Sequence, residues 1–127
     1  MKADFAMMGD TLAADLSGEL DHHEAAGLRE EIDRTMEAFR AKNLVLSFRD
    51  VTFMDSAGIG LVVGRYNTVS AAGGTLWITD CSPYIHRILE MAGVFTLARE
   101  ESSKELLLRR LQLGRIERRG EEHEGEK

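Results

Sequence analysis

The sequence predicts a single α/β domain with a mainly parallel sheet of four or five strands and helices packed on it. Apolar β-prone runs alternate along the chain with stretches in which apolar residues recur every three to four positions. The resulting order of elements is β-β-α-β-α-β-α-β-α, and strands that alternate with helices favour parallel pairing. A chain of 127 residues suffices for one such domain with a single core.

Two strands and a helix are expected first. Residues 5–18 are interpreted as two short strands joined by a Gly-Asp turn at 9–10, because apolar residues alternate with polar or small ones. Residues 18–43 then change to a helical period. Asp21 and Glu24 have capping-box spacing, with Asp in place of the usual Ser or Thr. The apolar face of this helix consists of Leu28, Ile32, Met36 and Phe39.

A central strand, a second helix and another strand should follow. The strand NLVLSF (43–48) is predicted to end in a turn at residues 49–50. After FMDSAGIG (53–60) comes a helix that the glycine pair 73–74 ends, and TLWITD (75–80) is the next strand. The apolar positions of this helix are Ile59, Val62, Val63, Tyr66 and Val69.

A third helix and a short strand are expected next. Ser82 is positioned to cap a helix that has Pro83 at its first position and ends at Gly93. VFTLA (94–98) is predicted to be the last strand.

The chain is expected to end in a helix and a tail. SSKELLLRRLQL (102–113) has an apolar stripe of leucines, whereas the residues beyond Gly114 are charged and lack periodicity. The domain is therefore expected to span residues 1–113, and residues 114–127 are expected to be a disordered tail. The leucines of the stripe are Leu106, Leu107 and Leu111.

Composition argues against several classes of protein. The chain is 43% hydrophobic and 30% charged, and its formal net charge of −6 disfavours a nucleic-acid groove. The single cysteine, Cys81, cannot form an internal disulfide. No stretch approaches the roughly 20 apolar residues that cross a bilayer, and the N-terminus lacks the apolar core of a signal peptide. We therefore expect a cytoplasmic monomer that binds neither nucleic acid nor membrane.

Three loops should lie at one edge of the predicted sheet. Right-handed crossovers place the helix starts along the carboxyl edge of a parallel sheet, where functional loops gather. The loops that begin at Asp21, Met54 and Cys81 all precede predicted helices. We therefore expect Asp21 to lie near Ser56 in space.

Ser56 has three possible roles: catalytic nucleophile, helix cap or modification site. A hydrolase elbow needs Gly-x-Ser-x-Gly and a histidine base, but Met54 stands where the first glycine belongs. We therefore expect no catalytic residue. Capping stabilises a helix by about 1 kcal/mol, yet it requires only one of the two neighbours Asp55 and Ser56.

A modification of Ser56 would give both Asp55 and Ser56 a role. Ser56 in a first helical turn would be exposed, and the small neighbours Ala57 and Gly58 would leave it open to another protein's active site. A phosphate there would add about −1.5 to −2 charges beside Asp55 and Asp21, and a helix N-terminus tolerates such charge. The result would be a switch that acts on binding without reshaping the fold.

Neither the glycines nor the histidines of this region indicate a bound cofactor. Gly58, Gly60 and Gly64 match neither the P-loop nor the dinucleotide fingerprint. His22 and His23 lack a third ligand at metal spacing. We expect no metal and no cofactor.

Three longer stretches carry a family resemblance: LSGELDHHEA (16–25), VLSFRDVTFMDSAGIGLVVGRY (45–66) and GGTLWITDCSPYIHRILEMAG (73–93). Together they resemble the bacterial anti-sigma factor antagonists, the single-domain members of the STAS class. Within that family, the chain resembles the sporulation antagonists that oppose the anti-sigma-F factor. The resemblance covers residues 1–113.

The resemblance implies a regulatory protein without catalytic activity. Its unphosphorylated form would bind an anti-sigma factor that is also a serine kinase, which would free the sigma factor. Phosphorylation of Ser56 would dissociate the complex, and a metal-dependent serine phosphatase would reset it. Asp21 and His22 would contact the partner. The other implied contact residues are Asp55, Ser56, Ala57, Gly58 and Ile59.

Two alternatives stay open at this point. One is a STAS module of another system, such as a stress-signalling or transporter-associated module, although GELDHH (18–23) favours the sporulation type. The other, from a different functional class, is a small nucleotide-binding or hydrolytic protein.

Overall fold

The computed structural model describes residues 1–106. The predicted final helix is described only at its start, where residues 103–106 are helical, and the predicted tail over 114–127 lies outside the described residues. The elements are β1 (Lys2–Met8), β2 (Thr11–Leu20), α1 (Ala25–Phe39), β3 (Asn43–Met54), α2 (Ser56–Ala71), β4 (Leu76–Thr79), α3 (Pro83–Met91), a short 3-10 helix (Val94–Thr96) and β5 (Arg99–Glu100).

The five strands form one mainly parallel sheet in the order β1-β2-β3-β4-β5. β1 and β2 are antiparallel, and each later neighbouring pair is parallel. The predicted α/β class is therefore confirmed, with five strands. The turn of the first hairpin is at Gly9, as expected, and its φ of +64° is one that glycine adopts without a steric penalty.

The core lies between one face of the sheet and the three helices. Side chains alternate across a strand, so every second residue of the central strands contributes to this core. The buried strand residues include Leu12, Leu16, Leu44, Leu46, Phe48, Leu76 and Ile78, and the buried helix residues include Leu28, Ile32, Leu61, Val62, Ile85 and Leu89.

β3 is longer than the sequence predicts. The expected turn at Arg49 and Asp50 is wrong, because the strand continues to Met54 and stays paired with β2. Both polar residues are exposed on this extension, which is why they suggested a turn. The pairing of β2 with β3 shifts register at two places along the extension, and these shifts interrupt the alternation of apolar and polar residues.

The last strand also differs from the prediction. VFTLA (94–98) is not a strand, because Val94–Thr96 forms a 3-10 helix and β5 follows at Arg99–Glu100. Gly93 enters this helix with φ of +77°, and two later amides donate to the Val94 carbonyl at 3.0 and 2.9 Å. The Val94 side chain is buried in the core, so its apolar character reflects packing rather than strand pairing.

The predicted C-terminal end of α2 and the predicted N-terminal start of α3 are confirmed. After α2 the chain turns at Gly73, with φ of +79°, and the Gly74 amide donates to a carbonyl of the last helical turn at 2.8 Å. Ser82 caps α3 by accepting a hydrogen bond from the Ile85 amide at 3.2 Å, and Pro83 is the first helical residue.

Candidate functional site

The β2–α1 loop and the β3–α2 loop meet at the carboxyl edge of the sheet. Leu20 and Met54, the last residues of β2 and β3, pair with each other. The Asp55 amide donates to the Leu20 carbonyl at 3.3 Å, and the His22 amide donates to Asp55 Oδ2 at 3.1 Å. The expected meeting of these two loops is therefore confirmed.

The third loop expected at the carboxyl edge, the β4–α3 loop, does not reach the two loops that meet there. β4 ends at Thr79, opposite Ser47, whereas β3 continues from Ser47 to Met54. At roughly 3.3 Å per strand residue, the β4–α3 loop starts about 20 Å short of the β3–α2 loop along the strand direction. Because β4 is parallel to β3, the Cys81 loop leaves the sheet at the carboxyl edge, as expected, but the shorter β4 keeps it apart from the two loops that Asp55 joins.

Asp55 joins the two loops that do meet. It is the N-cap of α2, and its Oδ1 accepts a hydrogen bond from the Ala57 amide at 2.9 Å. Its Oδ2 accepts the bond from the His22 amide, and His22 Nδ1 lies 3.5 Å from the same oxygen. One carboxylate therefore caps α2 and holds the β2–α1 loop in place.

These hydrogen bonds favour the ionised form of Asp55. Desolvation by its surroundings would raise the pKa of the carboxyl group, but bonds from the amides of Ala57, His22 and Gly58 and from the His22 side chain outweigh that effect. The pKa of Asp55 is therefore lowered from its ordinary value. At neutral pH the residue is a fixed negative charge beside Ser56.

Asp21 orders the neighbouring loop. Its Oδ1 accepts hydrogen bonds from the amides of His23 at 3.0 Å and Glu24 at 3.1 Å. The second bond is the one expected of a capping box, but α1 begins later, with Glu24 itself at the N-cap position. Asp21 therefore stabilises the loop that precedes α1 rather than the first turn of the helix. Its half-buried carboxylate also lies in the loop that contacts Asp55.

Ser56 is the first residue of α2 and is exposed. Because Asp55 supplies the cap, the Ser56 hydroxyl is not needed for capping, and it makes no hydrogen bond within residues 1–106. The capping role that the sequence left open between the two residues therefore belongs to Asp55.

Small residues follow Ser56, and one of them is required by packing. Gly58 is buried, and a Cβ there would overlap Cγ of Met54 and lie 3.0 Å from Cγ of Leu20. Those are the final residues of the two strands that carry the loops, so Gly58 brings α2 close to both. Ala57 and Ile59, on either side of it, are half-buried and reach the surface.

A groove separates the starts of α1 and α2. Its volume is about 290 Å³, and its lining includes His22, Arg29, Ala57 and Gly60. Arg29 of α1, which the sequence analysis did not single out, is exposed at this groove. It adds a positive charge to a region that otherwise contributes carboxylates.

Arg65 is a second residue that the sequence argument missed. It is 8% exposed and forms an ion pair with Asp33, which links α2 to α1. Its spacing from Leu61 and Val69 places it on the buried face of α2, and that spacing was the available signal. The buried face of α2 therefore differs from the set of apolar positions that the sequence predicts for this helix. Three of those positions are only half-buried: Ile59, Val63 and Tyr66.

Among residues 1–106, the possible metal ligands do not cluster and the cysteine is not activated. This part of the chain contains no group of three or more His, Cys, Asp or Glu residues suited to a metal ion. Desolvation, followed by the nearby charges of Glu100 and Asp80, raises the pKa of the Cys81 thiol to about 12. The thiol is therefore protonated and weakly nucleophilic. None of the described helices has the length and apolar character to cross a membrane.

Comparisons with known proteins bear on this site. A family profile described as STAS domain matches residues 6–106. An anti-sigma F factor antagonist of Paenibacillus polymyxa is 39% identical over 82 residues, which are 65% of this chain and 70% of that protein. The solved structure of the anti-sigma factor antagonist SpoIIAA in its unphosphorylated form is 26% identical, with a TM-score of 0.68 over 87% of this chain and 98% of that one. The phosphorylated form of the Bacillus cell fate determinant SpoIIAA is 27% identical, with a TM-score of 0.68 over 85% and 98%.

Proposed function

We propose that this chain, which belongs to the STAS domain family, is an anti-sigma factor antagonist that works by partner switching. Its unphosphorylated form binds an anti-sigma factor with serine kinase activity, and this binding releases the sigma factor. Phosphorylation of Ser56 ends the binding, and a metal-dependent serine phosphatase restores the unmodified form. The observation that carries the proposal is the exposed Ser56 hydroxyl, which is free of any capping role and adjacent to the fixed carboxylate of Asp55.

The proposed docking surface consists of the two loops that Asp55 joins. Its carboxylates favour a partner surface with hydrogen-bond donors or positive charge. Ile59 adds an apolar contact, and Gly58 supports the surface from below because it is buried. The residues proposed to contact the partner are Asp21, His22, Asp55, Ser56, Ala57 and Ile59.

Phosphorylation would change the charge of this surface without refolding the domain. A phosphate on Ser56 adds about −1.5 to −2 charges next to the ionised Asp55, so a partner matched to the unmodified surface meets repulsion and bulk. The N-terminus of α2 favours negative charge, which limits the cost to the fold. The unphosphorylated and the phosphorylated SpoIIAA structures both share the fold of this chain, which supports a switch that leaves the domain folded.

The proposal assigns no catalytic, metal-binding or cofactor-binding residue to this chain. The bond chemistry belongs to the partners, because the kinase supplies the phosphoryl group and the phosphatase removes it. We further propose that the chain acts in the cytoplasm as a monomer.

The first test mixes the chain with its cognate anti-sigma factor and ATP. Mass spectrometry is expected to find one phosphate, on Ser56, and none on the Ser56→Ala variant. Ser56→Ala should bind the anti-sigma factor and stay bound in ATP. Ser56→Asp should bind at least about tenfold more weakly, which corresponds to about 1.4 kcal/mol of repulsion.

Ser70 provides the matched control for the added charge. It is exposed near the opposite end of α2, so Ser70→Asp adds the same charge to the same helix away from the proposed surface. Ser70→Asp should bind like the unmodified chain. Equal binding by Ser56→Asp and Ser70→Asp, or a phosphate on another residue, would contradict the proposal.

A further inference from the structure

Arg29 places a positive charge at the groove between the starts of α1 and α2. It is exposed and forms no ion pair with any described residue. The carboxylate one turn further along α1, at Asp33, is paired with Arg65 of α2 instead. Long side chains of a helix point back towards its N-terminus, which directs Arg29 over Ala25 and Ala26. Both alanines line the same groove, so nothing bulky separates the guanidinium from the start of the helix.

The opposite wall of this groove is the first turn of α2. Ala57 and Gly60 line the groove there, and a Cβ added at Gly60 would meet nothing within 4 Å. Ser56 precedes Gly60 by four residues, so the two positions lie one above the other on the same side of α2. Gly60 therefore places no side chain between the Ser56 hydroxyl and the groove, whose volume is about 290 Å³.

We propose that a phosphate on Ser56 is bound within the same chain by the guanidinium of Arg29, across this groove. The inference rests on the proposed phosphorylation of Ser56. A phosphoserine carries about −1.5 to −2 charges and three acceptor oxygens. A guanidinium matches these oxygens with two parallel N–H donors, and its charge balances that of the phosphate.

His22 is the other residue of the groove lining that can carry a positive charge. The Asp55 carboxylate already accepts a hydrogen bond from its amide, and its Nδ1 lies 3.5 Å from Asp55 Oδ2. Arg29 has no such partner among the described residues. The groove therefore offers one cation that is engaged and one that is available, and the available one is Arg29.

Binding of the phosphate by Arg29 would give phosphorylation a second effect on the proposed docking surface. In the unmodified chain the guanidinium is available to a carboxylate of the partner. In the phosphorylated chain the phosphate occupies it. The partner would then meet an added negative charge at Ser56 and would also lose a positive charge nearby, and both changes weaken complementarity.

The test uses a chain synthesised with phosphoserine at position 56, so that no kinase is required. The second pKa of a phosphoserine is about 6, and a guanidinium in contact with the phosphate lowers it. Titration followed by phosphorus NMR should give a higher phosphate pKa in Arg29→Gln than in the chain that retains Arg29. The rise should be up to about 1 unit, because a neighbouring arginine shifts an acid by about 1–3 units and this site is open to water. The charges of Asp21, His22 and Asp55 are the same in both chains, so the difference reports on Arg29.

Arg34→Gln is the matched control. Arg34 is an exposed arginine of the same helix, but it does not line this groove. The substitution removes the same charge elsewhere and should leave the phosphate pKa unchanged. A phosphate pKa that is unchanged in Arg29→Gln, or that rises equally in Arg29→Gln and Arg34→Gln, would overturn the proposal. Thermal melts of the unphosphorylated variants check that both remain folded.

A second measurement needs no substitution. The side-chain Nε–Hε resonance of Arg29 should shift when position 56 carries phosphoserine, whereas that of Arg34 should not. A resonance of Arg29 that stays in place would overturn the proposal. This outcome is separate from a failure of the proposed function, because failure of the anti-sigma kinase to modify Ser56 would count against that function and leaves the synthetic phosphoserine chain available for the test.

Discussion

A serine lies at the start of both α2 and α3, but the hydroxyl groups of the two serines differ in their hydrogen bonds. Ser82 is the cap of α3, and its Oγ accepts a hydrogen bond from the Ile85 amide at 3.2 Å. In α2 the cap is Asp55, and the hydroxyl of Ser56, one position later, is exposed. A serine that follows a cap is accessible for chemistry, whereas a serine that is the cap is already engaged. This difference favours Ser56 over Ser82 as the phosphorylated residue.

The two helix starts also differ in what they hold together. Asp55 connects the start of α2 to the neighbouring loop through His22. The first turn of α3 is instead tied to the sheet edge, where His86 Nδ1 lies 2.5 Å from Glu100 Oε2. The α2 start is therefore coupled to the surface proposed for docking, and the α3 start is coupled to the edge strand β5.

The largest effect on stability is expected from Gly58→Ala in the first turn of α2. The added methyl group would meet the side chains of Met54 and Leu20, both of which are buried. Overpacking of this kind costs about 1–3 kcal/mol. Chemical denaturation of the purified variant measures this loss, and binding to the anti-sigma factor should also weaken because the two loops are forced apart.

Gly60→Ala is the control for that substitution. A Cβ at Gly60 meets nothing within 4 Å, and alanine favours a helix over glycine by up to about 1 kcal/mol. Gly60→Ala should therefore leave the free energy of unfolding unchanged or raise it. Equal losses in the two variants would show that α2 does not depend on close approach at Gly58.

Ser82→Ala is expected to have the next largest effect. Removal of a capping hydroxyl costs about 1 kcal/mol, so this variant should unfold at a lower denaturant concentration. Ser56→Ala removes no capping bond and should leave the free energy of unfolding unchanged. The effects on phosphorylation should be the opposite of those on stability. The anti-sigma kinase should phosphorylate Ser82→Ala but not Ser56→Ala. A loss of stability in Ser56→Ala as large as that in Ser82→Ala would remove the distinction between the two helix starts.

Much of this arrangement follows from the sequence. The period of the apolar residues predicts the α/β class and the order of the first elements, and the caps and glycines predict where α2 and α3 end. The rule that helix starts gather at one edge of a parallel sheet predicts that the loops of Asp21 and Ser56 meet. Local patterns and topology suffice for these predictions because they do not depend on strand length or on individual side-chain partners.

The features that the sequence did not predict depend on pairing over long distances. Arg49 and Asp50 have polar side chains that suit a turn, but pairing with β2 keeps them in a strand. Arg65 lies on a buried helix face because Asp33 of another helix balances its charge. The role of Asp55 as the residue that joins two loops depends on the amide of His22, and no local pattern marks that contact.

The smallest expected effect is a pH dependence that belongs to the α3 start alone. The hydrogen bond to Glu100, with added contributions from its charge and from Glu90, raises the pKa of His86 against the opposing effect of desolvation. Because the folded-state pKa is the higher one, the stabilisation is fully present below the unfolded value of about 6.5 and is lost as pH rises through the raised pKa. Thermal melts across this pH range should show that the melting temperature of the unmodified chain falls as the pH rises. In His86→Gln this fall should be absent.

His23→Gln is the control for that measurement, because His23 is an exposed histidine of the β2–α1 loop. The melting temperature of this variant should still fall as the pH rises. If the melting temperature of His86→Gln depends on pH as that of the unmodified chain does, the contacts with Glu100 and Glu90 do not stabilise the start of α3. The α2 start should not respond in the same window, because the pKa of Asp55 is lowered and its stabilisation is lost only on acidification. The carboxylate of Asp55 therefore keeps its charge across the neutral range, and a phosphate on Ser56 adds to that charge.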